Sequence, residues 1–255
     1  MQNYFKILYL VLFVTNSYLS ATIVTPYGDK MEAIIFDCDG VLVDTEYLKF
    51  LAWEEALGKK NIEFTIDEYK PLVGLSSENI LLNIKKLKKI HISDDVIATK
   101  NGIYKALQKQ GIPPIETMIA FVKYLVKNKD HFGIKLGLAS SASREEILFN
   151  LKEIGLENAF DAIISGSDDL NDYEDVQEKN KPKPYIYIEA AKQLKVLPSK
   201  CLVFEDTSAG IEAAVRAQMV GIAVPNQFTL NQDFSKARKV IHTPEELSFS
   251  EFVKD

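Results

Sequence analysis

The sequence predicts an α/β protein: a parallel sheet flanked by helices, with a run of helices inserted after the first strand. Three observations carry this. Ala33–Phe36 is an apolar run of strand length that ends in two carboxylates one residue apart, Asp37 and Asp39, with Gly40 following to turn the chain. From Tyr47 to about Gln110 the pattern is helical throughout, with no strand. From Ile115 onward, short apolar runs alternate with helical segments, the order that yields a parallel sheet with right-handed crossovers.

Taken in order, Tyr47–Leu57 has helical periodicity through Leu48, Leu51, Ala52, Trp53 and Ala56, and ends near Gly58. Pro71 and Gly74 break the stretch that follows. Ser76 or Ser77 can cap a helix running from Glu78 to about Ile90, and Ser93 starts another that reaches Gln110, with Gly111 as its stop. In the second half, Ile115–Lys129 reads as helix and Ile134–Ala139 as strand. Ser143-Arg144-Glu145-Glu146 has the form of a capping box for a helix that stops at Gly155. Ala162–Ser165 is a strand, and Pro184 opens the helix Tyr185–Leu194. Cys201–Phe204 is a strand, Ala209–Gln218 a helix, Ile222–Val224 a strand, and Thr243-Pro244-Glu245-Glu246 caps a last short helix. The acidic segment Asp168–Asn180 reads as a loop.

A chain of 255 residues supplies ample core for one large domain or two smaller ones. A net charge of −6 argues against nucleic-acid binding, which needs a basic face. Lys85, Lys86, Lys88 and Lys89 alternate with Ile84, Leu87 and Ile90, so they read as the solvated side of an amphipathic helix. The two cysteines, Cys38 and Cys201, sit in or beside apolar strands, where a buried, reduced thiol is expected rather than a disulfide or a zinc site.

Residues 1–30 differ in kind. Lys6, the apolar run Ile7–Val14 and the small residues Ser20 and Ala21 fit a signal peptide, but the run is too short for a membrane span. Equally, Met31 directly before the first strand fits a true start. Cleavage near Ala21 would mean a secreted or periplasmic protein, and a start at Met31 a cytoplasmic one; the compartment stays open.

Further chemistry-bearing stretches fall at strand ends, where open α/β sheets bind ligands. Ser140-Ser141-Ala142-Ser143 offers hydroxyls and free backbone N–H groups at a helix start, a place suited to an anion. In Lys181-Pro182-Lys183-Pro184 a lysine precedes a helix N-terminus, against the helix dipole, so an anionic partner would account for it. Glu205-Asp206 repeats the opening device of a strand ending in two carboxylates, which calls for a cation.

The set Asp37-Cys38-Asp39-Gly40-Val41-Leu42-Val43-Asp44-Thr45-Glu46, Ser140, Lys181-Pro182-Lys183-Pro184 and Glu205-Asp206-Thr207-Ser208-Ala209-Gly210 resembles the haloacid dehalogenase superfamily, in the branch whose helical cap follows the first motif and which holds β-phosphoglucomutase and many metabolite phosphatases. The resemblance spans about Glu32 to Val224. It implies a Rossmann-like three-layer core formed by residues 31–46 and 113–255, with a helical cap at 47–112. It further implies Asp37 as the nucleophile that takes the phosphoryl group and Asp39 as general acid/base. Ser140, with Ser141 beside it, and Lys181 would hold the phosphate, and Mg²⁺ would be bound by Asp37, Asp39 (through its carbonyl), Glu205 and Asp206. The dehalogenases lack a carboxylate at the second position, so Asp39 points to phosphoryl transfer.

Departures from the pattern bear on specificity. Lys49 stands where β-phosphoglucomutases carry a cap histidine, and Ser77 where they carry an arginine; both speak against isomerising a bisphosphorylated hexose. Lys49 is a candidate specificity residue, set against a plain reading as a lysine on an exposed helix face. Asn180 replaces the usual glycine before Lys181 but tolerates a left-handed conformation. Arg144 reads as reaching the cleft or pairing at the surface, and Lys183 as a surface lysine. The expectation is Mg²⁺-dependent hydrolysis of a small phosphorylated metabolite through an aspartyl-phosphate. A phosphomutase is the first alternative and a catalytically idle binding relative the second, although no catalytic position is lost.

Overall fold

The computed structural model describes residues 22–23, 30–175, 179–247 and 253–254. The candidate signal segment at Lys6 to Ala21 and residues 176–178 of the acidic loop therefore lie outside the described residues. Six parallel strands form one sheet: β1 (Ala33–Phe36), β2 (Lys135–Ser140), β3 (Ala162–Ser165), β4 (Cys201–Glu205), β5 (Val220–Ala223) and β6 (Lys239–Val240), in the order β3-β2-β1-β4-β5-β6. Thr22–Ile23 pairs with Val253–Lys254 in a separate antiparallel ladder.

The apolar runs form central strands because the sheet is covered on both faces. β1 shows this by alternation. Ile34 and Phe36 join the cluster that includes Met118, Val122 and Leu125 of α5 (Glu116–Phe132) and Ile147 and Leu151 of α6 (Arg144–Glu153). Ala33 and Ile35 join the opposite cluster, with Ile186 and Ala190 of α7 (Tyr185–Leu194) and Ala213 and Ala214 of α8 (Ser208–Arg216). Phe36 stacks on Phe204 of the neighbouring strand at 5.0 Å between ring centroids, within the favourable range for offset pairs. The layers are helix, sheet and helix.

Between β1 and α5 the chain runs through α1 (Glu46–Gly58), α2 (Ile66–Tyr69), a 3₁₀ turn (Lys70–Leu72), α3 (Ser77–Lys88) and α4 (Asp95–Gln108). This insert packs around its own apolar cluster of Phe50, Trp53, Phe64, Tyr69, Ile80, Ile84 and Val96. One member of that cluster, Phe228, comes from the segment after β5. Ser76 and Ser143 cap α3 and α6 through their hydroxyls.

Some expectations shift. Ser93 does not open α4; the helix starts at Asp95, and the Ser93 hydroxyl bonds that residue's carboxylate instead. Pro184 takes the N-cap position rather than the first turn. Of the apolar residues among the α3 lysines, Ile84 is buried, while Leu87 in the last turn of the helix and Ile90 beyond its end are exposed. Lys85 and Lys88 pair with Asp94 and Glu68. Both cysteines are buried and free, as expected.

Candidate active site

Parallel pairing brings three strand ends together. Phe36 is in register with Leu138 of β2 and Phe204 of β4, so Asp37 and Glu205 emerge side by side at the carboxyl edge, with Ser140 one residue farther along β2. Asp37 continues the sheet for one more residue, its N–H bonding the Phe204 carbonyl at 3.0 Å. The chain then turns sharply, with Leu42 N–H on the Cys38 carbonyl at 2.8 Å and Gly40 N–H on the Val43 carbonyl at 2.7 Å. Gly40 has φ +80°, and a Cβ there would overlap the Asp206 carboxylate, so glycine is required by both conformation and space.

Lys181 reaches into this edge from the loop after β3. Its Nζ lies 2.6 Å from Asp37 Oδ1 and 2.5 Å from Glu205 Oε1, with all three side chains buried. Tyr187 O–H also donates to Glu205 Oε1, and the Thr207 N–H and hydroxyl both donate to Oε2 at 2.9 Å. Glu205 is thus held by four donors. Asp206 has no lysine or arginine partner among the described residues; Asn226 Nδ2 donates to its Oδ2 at 2.8 Å. Asp37, Glu205 and Asp206 bring one carboxylate oxygen each within 4.8 Å of one another. Burial, with Glu205 and Asp37 adding to it, pushes the Asp206 carboxyl well above its usual range. Burial likewise raises Asp37 to about 7, against the pull of Lys181 and with the push of Glu205 and Asp39. An all-oxygen set of crowded carboxylates whose charge Lys181 only partly offsets fits a hard divalent cation.

Asp39 occupies the other side of the turn. Thr45 Oγ1 donates to its Oδ1, Ser140 Oγ to its Oδ2 at 3.3 Å, and Lys49 Nζ sits 3.1 Å from Oδ1. Burial works to raise this carboxyl, yet Lys49 and the hydroxyl donors outweigh it and hold it below the ordinary value. Lys49 therefore does not lie on an exposed helix face: its first-turn position in α1 turns it toward the sheet edge, where Glu46 accepts from it at 2.8 Å. Glu46 in turn accepts from the Tyr69 hydroxyl at 2.8 Å.

The cleft between insert and sheet edge has a volume of about 430 Å³ and is walled by Asp37, Asp39, Lys49, Ser140, Ser141 and Lys181, among others. Ser140 also accepts from the Ala142 N–H at 3.2 Å, and Ser141 is exposed on the wall. Ser77 lines the insert side. Arg144 is drawn away from the cleft by Asp169, at 2.5 Å, and by the Ile163 carbonyl. Lys183 pairs with Asp175 at 2.9 Å. Asn180 is not left-handed, so its tolerance for that conformation is not used; bare Gly166 packs against its side chain instead.

Four groups at this site carried no role in the sequence reading: Lys100, Tyr104, Glu46 and Asn226. Lys100 is 7% exposed, with its Nζ 5.7 Å from the Trp53 ring centroid and 5.3 Å from that of Tyr104. It has no ion-pair partner among the described residues, and burial followed by the nearby Lys49 charge lowers its pKa to about 8. The signal was present as a row at helical i+4 spacing, Val96-Lys100-Tyr104-Gln108, all of it buried.

The model of the haloacid dehalogenase-like hydrolases matches residues 34–224. The plant protein Suppressor of Quenching 1, chloroplastic, of Arabidopsis thaliana is 36% identical over 208 residues, 80% of this chain and only 19% of that much longer protein. A phosphorylated carbohydrates phosphatase of Thermotoga maritima is 33% identical over 192 residues, 73% of this chain and 82% of that protein. Among solved structures, a β-phosphoglucomutase from Clostridium difficile superposes with a TM-score of 0.66 at 29% identity, covering 86% of this chain and 94% of that one.

Proposed function

The chain belongs to the haloacid dehalogenase-like hydrolase family, and from that premise we propose that it is a Mg²⁺-dependent phosphatase acting on small phosphate monoesters, sugar phosphates among them, through an aspartyl-phosphate. The observation that carries the reading is Lys181 bridging Asp37 and Glu205 at 2.6 and 2.5 Å, with Asp39 across the same turn. That arrangement gives a nucleophilic carboxylate held next to a fixed positive charge and a second carboxylate, held by Thr45, Ser140 and Lys49, placed to move a proton.

In the first step an Asp37 carboxylate oxygen bonds to phosphorus while the phosphorus–oxygen bond to the leaving alcohol breaks. Asp39, which Lys49 and the hydroxyl donors keep ionised at rest, takes up a proton as substrate displaces the Lys49 contact and gives that proton to the departing oxygen. In the second step Asp39, now ionised, takes a proton from water as the water oxygen attacks phosphorus, and Asp37 leaves as a free carboxylate with inorganic phosphate. Lys181 and the Ser140 hydroxyl offset charge on the equatorial oxygens. Asp37, Asp206 and the Asp39 carbonyl would hold Mg²⁺, joined by Glu205 when it exchanges one of its donors; the ion supplies charge neutralisation at the phosphoryl group. Glu205 otherwise keeps Lys181 in place. The helical insert acts as a cap that screens the cleft from bulk water and selects the leaving group.

A phosphomutase is the second reading, favoured by the likeness to a β-phosphoglucomutase fold, with Lys49 and Ser77 in the places of the mutase histidine and arginine counting against it. The test is phosphate release from p-nitrophenyl phosphate and a panel of sugar phosphates, with Mg²⁺ and with chelator, beside Asp37→Asn. Mg²⁺-dependent release lost in the variant supports the phosphatase; folded protein that releases none but isomerises a hexose phosphate replaces it with the mutase.

A further inference from the structure

The segment after β5 touches both halves of the cleft. β5 lies beside β4 with Ala223 opposite Glu205, so the chain leaving β5 emerges next to the Glu205-Asp206 pair. Asn226 then donates through Nδ2 to Asp206 Oδ2 at 2.8 Å. The orientation of this amide is fixed by its other end, since Oδ1 accepts the Phe228 N–H at 2.9 Å and only Nδ2 can face the carboxylate. Thr229, itself fully buried, ties the turn further, its Oγ1 accepting the Asn226 N–H at 3.0 Å.

Two residues on, Phe228 leaves the core and enters the apolar cluster of the helical insert, where it is 5% exposed and meets Tyr69 edge-to-face at 6.4 Å. Gln232 closes the same segment by accepting the Ser208 N–H at 2.7 Å on one end of its amide and donating to the Val73 carbonyl of the insert at 3.2 Å on the other. One short segment therefore grips an acidic residue of the core and the centre of the insert together.

From this juxtaposition we propose that Asn226 is a positioning residue that holds Asp206 in the orientation a divalent cation requires, and that Phe228, seated in the cap, holds Asn226. The inference rests on the cation reading of the Asp37–Asp206 cluster. Asn226 leaves one Asp206 oxygen committed and the other available, which is what an outer hydrogen bond to a metal-binding carboxylate does. Cap position and cation affinity are then coupled through a single turn of chain.

The test is Mn²⁺ binding to the full chain without substrate, read by electron paramagnetic resonance, for the wild type, Asn226→Ala, Phe228→Ala, Phe228→Leu and the Asn226→Ala/Phe228→Ala double variant, with melting temperatures measured alongside. Asn226→Ala should raise the Mn²⁺ Kd ~10- to 100-fold, the usual cost of losing such an outer partner, without a matching fall in melting temperature. Phe228→Ala, or Phe228→Leu where the alanine variant does not fold, should raise the Kd less. The double variant should be no weaker than Asn226→Ala alone, because Phe228 acts through Asn226. A wild-type Kd kept by Asn226→Ala overturns the proposal, as does a Phe228 variant that melts earlier but binds Mn²⁺ normally. Wild-type protein that binds no Mn²⁺ overturns the cation reading and this inference with it.

Discussion

Lys181 and Asp37 are separated by 144 residues of sequence, yet their side chains meet at 2.6 Å, both of them buried at the edge of the cleft. The same ammonium reaches Glu205, and the two carboxylates raise its pKa well above the usual value although burial works against it. Lys181 is thus permanently charged at the point where phosphoryl charge would develop.

Lys181→Met should lower kcat by ~10²–10³-fold, the usual consequence of deleting one preorganised donor. It should also destabilise the fold by about 3–5 kcal/mol, because two buried carboxylates lose their counter-charge. Steady-state kinetics and denaturant unfolding check the two halves separately. A variant that melts normally would mean that the burial of Asp37 and Glu205 does not depend on this ammonium.

Lys49 should act through Asp39. It lies 3.1 Å from Asp39 Oδ1 and is itself held by Glu46, so Lys49→Met removes contacts to two charged groups, of which the one to Asp39 is worth about 1.5–3 kcal/mol. Turnover should fall by roughly 10- to 100-fold on every substrate if Lys49 orients Asp39. Were Lys49 instead a plain surface lysine, kcat and KM would both be unchanged.

The reach of the sequence differs from residue to residue. Asp37, Asp39, Ser140, Glu205 and Asp206 were legible because each ends or directly follows an apolar run, and parallel register must gather such ends at one edge. Lys181 was legible from its position against a helix dipole and from the family resemblance. Lys49 was legible as a position but not as a direction, since periodicity gives a helix face without saying what covers it. Nothing in the sequence marks Lys100 out from other helical lysines; only the packing of Trp53 and Tyr104 around it turns it inward. Asn226 lies in a segment without periodicity, and its meaning depends on a contact with Asp206 across 20 residues.

Gly40 makes the tightness of the site testable. A side chain at Gly40 would need φ +80° and would overlap the Asp206 carboxylate, with Asn226 Nδ2 only 2.8 Å away. Gly40→Ala should therefore lower stability by about 1–3 kcal/mol through overpacking and displace Asp206 in the process. Both a lower melting temperature and a loss of Mg²⁺-dependent activity are expected. A control at Gly58, where a Cβ would meet nothing within 4 Å, should be close to neutral or slightly stabilising in its helix.

Lys100 should show opposite effects on stability and function. Its pKa is lowered from 10.5 to about 8, first by burial and then by Lys49. A lysine whose folded-state pKa lies below its unfolded value weakens the fold most where both states are protonated, that is, below about pH 8. Between about 8 and 10.5 the folded state has shed the proton and the unfolded state has not, so the penalty fades as pH rises through that window. Lys100→Met should accordingly stabilise the protein at pH 7 by about 3 kcal/mol, and this gain should shrink to near zero by about pH 10.5. Because Lys100 lines the cleft beside Lys49, the same variant should bind anionic substrates more weakly, raising KM by roughly tenfold for the loss of one charged contact. Melting curves from pH 6 to about pH 10 together with KM for two substrates of different charge test both effects. A Lys100→Met protein that is less stable at pH 7 would show that the ammonium is held by a partner rather than strained by burial. A stabilised variant with unchanged KM would show that the strain serves no substrate.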